Sequence, residues 1–320
     1  MTLFATLSDG REVHAITIGS DQLQATILTY GAIARDIRLS GVTHRLDLAA
    51  ENFADYEAGL GFFGAIVGPI ANRISNARVR LDGMDYELER NEAGQRHLHS
   101  GSAGLHRQVW DVAEETADSV TLTVTLPDGH AGLPGNRRIT ARYAITGADL
   151  SLEITATTDA TTPMNCASHI YWNLDGAETF AGHQMRVAAD HYLPVDAGTC
   201  PTGEVAEVAG TDMDFRETRV LTPGAPMLDH NFCLSEAPGP LRDVFWLTGQ
   251  SGVSLTLATT EPGLQVHDAS GATRPGRAFF EGIVVEPQGW PDAPNNRSFP
   301  QITLRPGDTY HQQTRWRFSK

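Results

Sequence analysis

The chain is short of several things, and each shortage narrows what it can be. It has only three cysteines, Cys166, Cys200 and Cys233. They are widely spaced and form no Cys-x-x-Cys pair, which argues against a disulfide framework or a cysteine-based zinc site and predicts free thiols. Basic residues are scarce: 24 Lys and Arg against 39 Asp and Glu give a formal net charge of -15. A nucleic-acid binder needs a basic footprint, and an anionic membrane surface needs a polybasic one, so neither partner is expected. No apolar run approaches the ~18 residues of a membrane span. The first ten residues, Met1 to Gly10, lack a basic stretch followed by a long apolar one, so no signal peptide is read there. A cytoplasmic, reduced protein is the expectation. Helical periodicity is nearly absent as well, with Glu51 to Gly59 the one short candidate. There is no solenoid-period repeat, no low-complexity tract and no Pro/Gly/Ser linker. One domain over residues 1–320 is expected.

What is present is a period of two. Ile16 and Ile18 alternate with Ala15 and Thr17; Leu23, Ala25 and Ile27 alternate with Gln24 and Thr26. Ile33, Ile37 and Leu39 follow, with Arg35 expected on their side. Val79 and Leu81 lead into Asp82-Gly83, and Tyr86 and Leu88 lead out, a strong hairpin signal. Val120 to Leu126, Ile139 to Ile145, Leu150 to Ala156 and Val253 to Leu257 repeat the alternation. The C-terminus reads as a hairpin in which Ile302 and Leu304 pair with Tyr310 to Phe318 across Arg305-Pro-Gly-Asp308. Many half-buried strands with turn signals at short intervals predict an all-β fold, a large antiparallel sandwich or a barrel.

Six segments are polar or aromatic where a plain β-core would be apolar. Gly68-Pro-Ile-Ala-Asn72-Arg73 offers amide and guanidinium donors. Arg96-His97-Leu-His99 spaces two imidazoles as a strand would, but no third ligand lies at a usual metal spacing, and no metal is expected. Cys166-Ala-Ser-His169-Ile-Tyr-Trp172-Asn-Leu-Asp-Gly176 reads as a strand holding a titratable group and closing on a turn. Leu228-Asp229-His-Asn-Phe232 and Thr260-Glu-Pro-Gly-Leu-Gln265 follow. In Val285-Glu286-Pro-Gln-Gly-Trp290, a carboxylate stands at the expected end of the apolar run Gly282 to Val285. Partial desolvation there favours a raised pKa and a working base. Trp172, Trp290 and Phe62-Phe63 supply flat faces for a polar small molecule such as a sugar.

Ala71-Asn-Arg-Ile74, Leu98-His-Ser-Gly101, His169 to Gly176, Tyr192 to Asp196 with Pro201 to Glu204, Asp229 to Phe232, Glu261 to Gln265 and Glu286 to Asp292 together resemble the aldose 1-epimerase (galactose mutarotase) family. The motifs run in the family's order and span nearly the whole chain. The resemblance implies a β-sandwich of the galactose-mutarotase type with an open cleft, a monosaccharide substrate and no cofactor. It implies Glu286 as the general base on the C1 hydroxyl and His169 as the general acid on the ring oxygen. His99 would help bind that oxygen, and Asn72, Arg73, Asp229 and Gln265 would hold hydroxyls. The sequence departs from the family's usual pattern at Gly68-Pro69, at Ser100, at Trp172 and at His267-Asp-Ala-Ser270. These touch neither proposed acid nor base but bear on which sugar fits. Two alternatives stay open: a mutarotase for an unusual or anionic sugar, and a non-catalytic sugar-binding protein on the same fold. Monomer and homodimer are both compatible with the sequence.

Overall fold

The alternating segments become antiparallel sheets in a computed structural model, which describes residues 1–320. A nine-stranded sheet runs Asp111–Glu115, Ser119–Leu126, Arg137–Thr146, Asp149–Thr158, Tyr310–Ser319, Ser254–Thr259, Arg242–Thr248, Gln184–Val187, Arg219–Val220. A seven-stranded sheet runs Ala206–Glu207, His191–Tyr192, Asp229–Cys233, Gly263–His267, Ile283–Gln288, Tyr171–Trp172, Asp47–Leu48. Four N-terminal strands between Thr2 and Leu39 form a third sheet, in chain order. The expected short helix is present as Phe53–Ala58, and no helix is long and apolar enough to cross a membrane.

The core lies where the sheets face each other. One cluster of 52 buried residues joins Leu122, Ile139, Leu152, Leu257 and Trp316 of the large sheet to Phe232, Leu264, Val266, Ile283 and Val285 of the seven-stranded one. Ile16, Ile18 and Ile27 enter it from the N-terminal sheet. Successive side chains on a strand point to opposite faces. Leu264 and Val266 point into the core, so Gln265 and His267 point away from it. Val285 points in, so Glu286 points out. The hydrophobic pattern thereby aims the polar residues at one outer face before any of them interacts.

Local chemistry sets the turns. Asp82-Gly83 joins Arg78–Leu81 to Met84–Glu87 with φ of 47° and 86°, the positive pair a type I′ hairpin turn requires. Gly147, with φ of 57°, turns between two strands paired over ten residues each.

Two expectations fail. The C-terminal hairpin does not form: Thr303–Leu304 pairs with Thr162–Pro163, while Tyr310–Ser319 lies between Asp149–Thr158 and Ser254–Thr259. A place at the centre of the large sheet satisfies both edges of the last strand, which a local hairpin would not. Arg35 also leaves the side of Ile37. The pairing slips by one residue between Gln24 and Thr26, and Asp36 takes φ of 53°. That bulge sends the Arg35 guanidinium over the Phe4 ring, 5.0 Å from its centroid, while Ile37 enters the core.

Candidate active site

The outer face of the seven-stranded sheet floors a cleft of about 360 Å³. Register lines up its residues. Asn231 stands opposite Gln265, and Gln265 opposite Glu286. One step along, Asp229 stands opposite His267. Cross-strand neighbours on one face lie roughly 4.5–5.5 Å apart at Cβ, so these groups converge although they are far apart in sequence.

Glu286 lies inside the strand Ile283–Gln288, not at its end as expected, because Pro287 and Gln288 continue the pairing with Gly263 and Leu264. It is 2% exposed. Burial pushes its carboxyl well above the ordinary carboxylate range; the Asp229 charge adds to the rise and the Arg73 guanidinium opposes it.

His169 is likewise not in a strand interior. It falls in a break between Ala167–Ser168, which pairs with Ile66–Val67, and Tyr171–Trp172, which pairs with Ile283–Val284. The backbone is pinned there instead: the His169 N–H donates to Ala65 O at 2.9 Å, and the Gly64 N–H donates to His169 O at 2.9 Å. Only glycine fits position 64. Its φ is 77°, and a Cβ would stand 2.2 Å from Ala34 O. The break swings the imidazole over the cleft, with Nε2 3.7 Å from Glu286 Oε1. Burial pushes the imidazole down to about 3, and His267 adds to the fall.

Asn72 and His99 hold each other. Both take positive φ, 60° and 50°. The His99 N–H donates to Asn72 O at 3.0 Å, and the Asn72 N–H donates to His99 Nδ1 at 3.0 Å. A ring nitrogen that accepts carries no proton, so the His99 proton is on Nε2, the remaining donor of the ring. Burial, with the positive character of His169 and His106 nearby, holds His99 far below the usual histidine range. It is a neutral donor.

Arg73 anchors a polar chain. Its Nε and Nη2 lie 3.0–3.1 Å from the Glu92 carboxylate, and its Nη1 donates to Asp229 Oδ2 at 3.1 Å. Asp229 Oδ1 accepts from Gln265 Nε2 at 2.6 Å. Burial alone would lower the guanidinium's pKa; Asp229 and Glu92 raise it above its ordinary value.

All seven residues singled out in the sequence are therefore brought together: Asn72, Arg73, His99, His169, Asp229 and Glu286 line the cleft, and Gln265 joins it through Asp229. Of Phe62, Phe63, Trp172 and Trp290, only Phe62 does so, with its ring 5.7 Å from the His169 ring and 4.8 Å from the His99 ring. Phe63 turns away and stacks on Tyr171 at 3.9 Å. Trp172 follows the alternation into the core beside Trp316, and Trp290 packs on Phe299 with its Nε1 on Pro262 O. His97 bonds Glu89 O and does not line the cleft. Tyr171, His267 and Ser270, from segments where the sequence departs from the family's usual pattern, also line it, and Glu92 lines it unforeseen. A counter-ion for a buried arginine was the signal available for Glu92, and the alternation past Gln265 was the one for His267.

His99, His169 and Glu286 place one ligand atom each within 4.8 Å of the others, so three donors are available to a metal ion. This is not the His97–His99 pair the spacing suggested. The arrangement also suits proton transfer, with a base and an imidazole side by side and a fixed neutral donor next to them.

A family profile described as aldose 1-epimerase matches residues 14–317. The chain is 33% identical over 336 residues to a galactose mutarotase of Rattus norvegicus, covering 99% of this chain and 98% of the relative. It is 30% identical over 341 residues to an aldose 1-epimerase of Escherichia coli (strain K12), covering 98% and 97%. Among solved structures, an aldose epimerase homologue from C. elegans superposes with a TM-score of 0.89 at 29% identity, covering 96% of this chain and 99% of that one. A galactose 1-epimerase from Lactobacillus acidophilus NCFM gives 0.86 at 27% identity, covering 99% and 97%. With the profile spanning almost the full length and the relatives matched end to end, this chain belongs to the aldose 1-epimerase family.

Proposed function

We propose that this protein interconverts the α- and β-anomers of a free aldose by opening and reclosing the sugar ring, with Glu286 and His169 as the proton-transfer pair. The observation that carries the reading is the 3.7 Å approach of His169 Nε2 to Glu286 Oε1 at the floor of the cleft. Ring opening removes a proton from the C1 hydroxyl and adds one to the ring oxygen. Both oxygens are bonded to C1, so an acid and a base that serve them must stand close together.

The proton balance follows from burial. Desolvation holds Glu286 protonated more readily and His169 less readily than usual. Burial therefore favours the carboxyl over the imidazole as the seat of the pair's shared proton. The reactive form has that proton on His169. Glu286 then takes the proton of the C1 hydroxyl as His169 gives its own to the ring oxygen, the C1–O5 bond breaks, and the aldehyde forms. The pair is returned to the arrangement that burial favours. After rotation about C1–C2 the same steps run backwards on the other face of the carbonyl. Each positioned group is worth about 10²–10⁴-fold. His99, a neutral donor, supports the ring oxygen; Asn72, Arg73, Asp229 and Gln265 hold hydroxyls. No step calls for a nucleotide or a metal. The three buried free thiols support a reducing compartment, such as the cytoplasm.

Polarimetry on freshly dissolved α-anomers of galactose, glucose, xylose and arabinose tests this. Faster approach to anomeric equilibrium with at least one sugar is expected. No acceleration with any of them, alongside measurable binding of one, would leave a sugar-binding protein in its place.

A further inference from the structure

A second cavity is larger than the cleft. It encloses about 480 Å³ and shares no lining residue with the proposed sugar site. Its walls include Pro238, Pro262, Pro300 and Tyr310, and its acidic groups are Glu261 and Asp308. No lysine or arginine lines it.

Glu261 is 3% exposed. The one hydrogen bond its carboxyl accepts is a long one, 3.4 Å from the Thr260 hydroxyl. Nearby donors are committed elsewhere. Arg242 donates to the carbonyls of Thr259 and Glu261 at 3.1 Å each and to Ser235 Oγ at 2.9 Å. The Tyr310 hydroxyl donates to Gln312 Oε1 at 3.0 Å and accepts the Cys166 N–H at 3.2 Å. A buried carboxyl without a strong donor or a counter-ion is costly. Here it borders a space able to admit one.

We propose that this cavity is a second binding site, for a small alkylammonium ion whose nitrogen takes the Glu261 carboxylate and whose hydrocarbon body lies on the proline and tyrosine walls. The donors of an ammonium satisfy a carboxylate by charge-assisted hydrogen bonds. Its methylenes suit the apolar rings, and no lysine or arginine lines the cavity to compete for the carboxylate. The acidic net charge of the chain favours its approach.

Burial pushes the Glu261 carboxyl up to about 8, with the Thr260 hydroxyl and Arg242 pulling less strongly the other way. Near neutral pH the carboxyl thus holds its proton, and an arriving R–NH3+ displaces it to the buffer. His311 and Asp308 also line the cavity, with His311 Nε2 2.8 Å from Glu153 Oε1.

The test is calorimetry with n-butylammonium chloride near neutral pH, in buffers of different protonation enthalpy. Wild type and Glu286→Gln should both bind one amine saturably and release up to one proton. Glu261→Gln should bind at least tenfold more weakly, and 1-butanol should bind wild type no better than the amine binds that variant. Absence of saturable binding to wild type, equal affinity in Glu261→Gln, or equally tight 1-butanol would overturn the proposal. Should Glu261→Gln fail to fold, a carboxyl-carbon NMR titration of wild type decides: butylammonium must move the Glu261 titration to lower pH, and an unmoved curve rejects the site. Because Glu286→Gln is expected to bind the amine, failure of the mutarotase reading and failure of this one are separable.

Discussion

Glu286→Gln replaces the proposed base by a neutral side chain of the same shape. The position is 2% exposed, and Oε2 has no hydrogen-bond partner within the protein. Gln therefore fits, and its loss is confined to proton transfer. Turnover should fall by about 10²–10⁴-fold, equivalent to about 2.7–5.4 kcal/mol on the barrier at about 1.36 kcal/mol per tenfold. KM should change little, since the hydroxyl-holding groups are untouched. The same substitution has a signature in stability. The folded pKa of Glu286 lies above its unfolded value. Native protein keeps this proton at pH values where the unfolded chain has lost it. The stabilisation is thus complete below the unfolded carboxyl pKa of about 4.3 and disappears as pH rises through the folded pKa. Gln carries no such dependence. Thermal melts of both proteins across pH should show Glu286→Gln gaining on wild type as pH increases. Near-wild-type mutarotation in the variant would remove Glu286 as base. A melting difference constant from acid to alkaline pH would refute the buried, raised carboxyl.

Three other outcomes are expected. His169→Asn should lose activity as heavily as Glu286→Gln, and wild-type kcat/KM should show no acid limb near the ordinary histidine value of about 6.5, because burial moves His169 to about 3; a limb centred near 6.5 refutes the neutral imidazole. Asp229→Ala removes the acceptor of both Arg73 Nη1 and Gln265 Nε2, so KM should rise about 10–100-fold, the worth of a hydrogen bond to a charged group, with kcat less affected; unchanged kinetics would take Asp229 out of the site. Zn2+ should inhibit competitively with sugar by seating on His99, His169 and Glu286, with recovery on adding EDTA; non-competitive inhibition that persists in His99→Asn would place the ion elsewhere.

Much of this was readable from residues alone. Gln265 and Glu286 were legible as polar residues in otherwise apolar segments, but their standing opposite each other inside paired strands came only with the register. Alternation, applied to Tyr171-Trp172, assigns Trp172 to the core, which the search for flat apolar faces overrode. His169 resisted because its position depends on a break in pairing held by Gly64 and Ala65, a contact across about a hundred residues that leaves no local mark. The C-terminal hairpin misled for a related reason. A Pro-Gly turn between two alternating runs is locally sufficient, but the last strand gains two partners from distant segments by ignoring it.

The commitments of Arg73 decide what company the enzyme keeps. The guanidinium stands between Glu92 and Asp229, one positive charge against two negative ones. A uronate or a sulfonated hexose entering the cleft meets no unclaimed cation, and it must break one of those pairs while facing the other carboxylate. An uncharged hexose or pentose needs only to share existing acceptors. The arginine, which in isolation reads as a hook for anions, thus works as a turnstile against them. In a mixed pool the enzyme is then expected to relax neutral sugars faster than acidic ones, and equal acceleration of galactose and galacturonate would refute that role for Arg73.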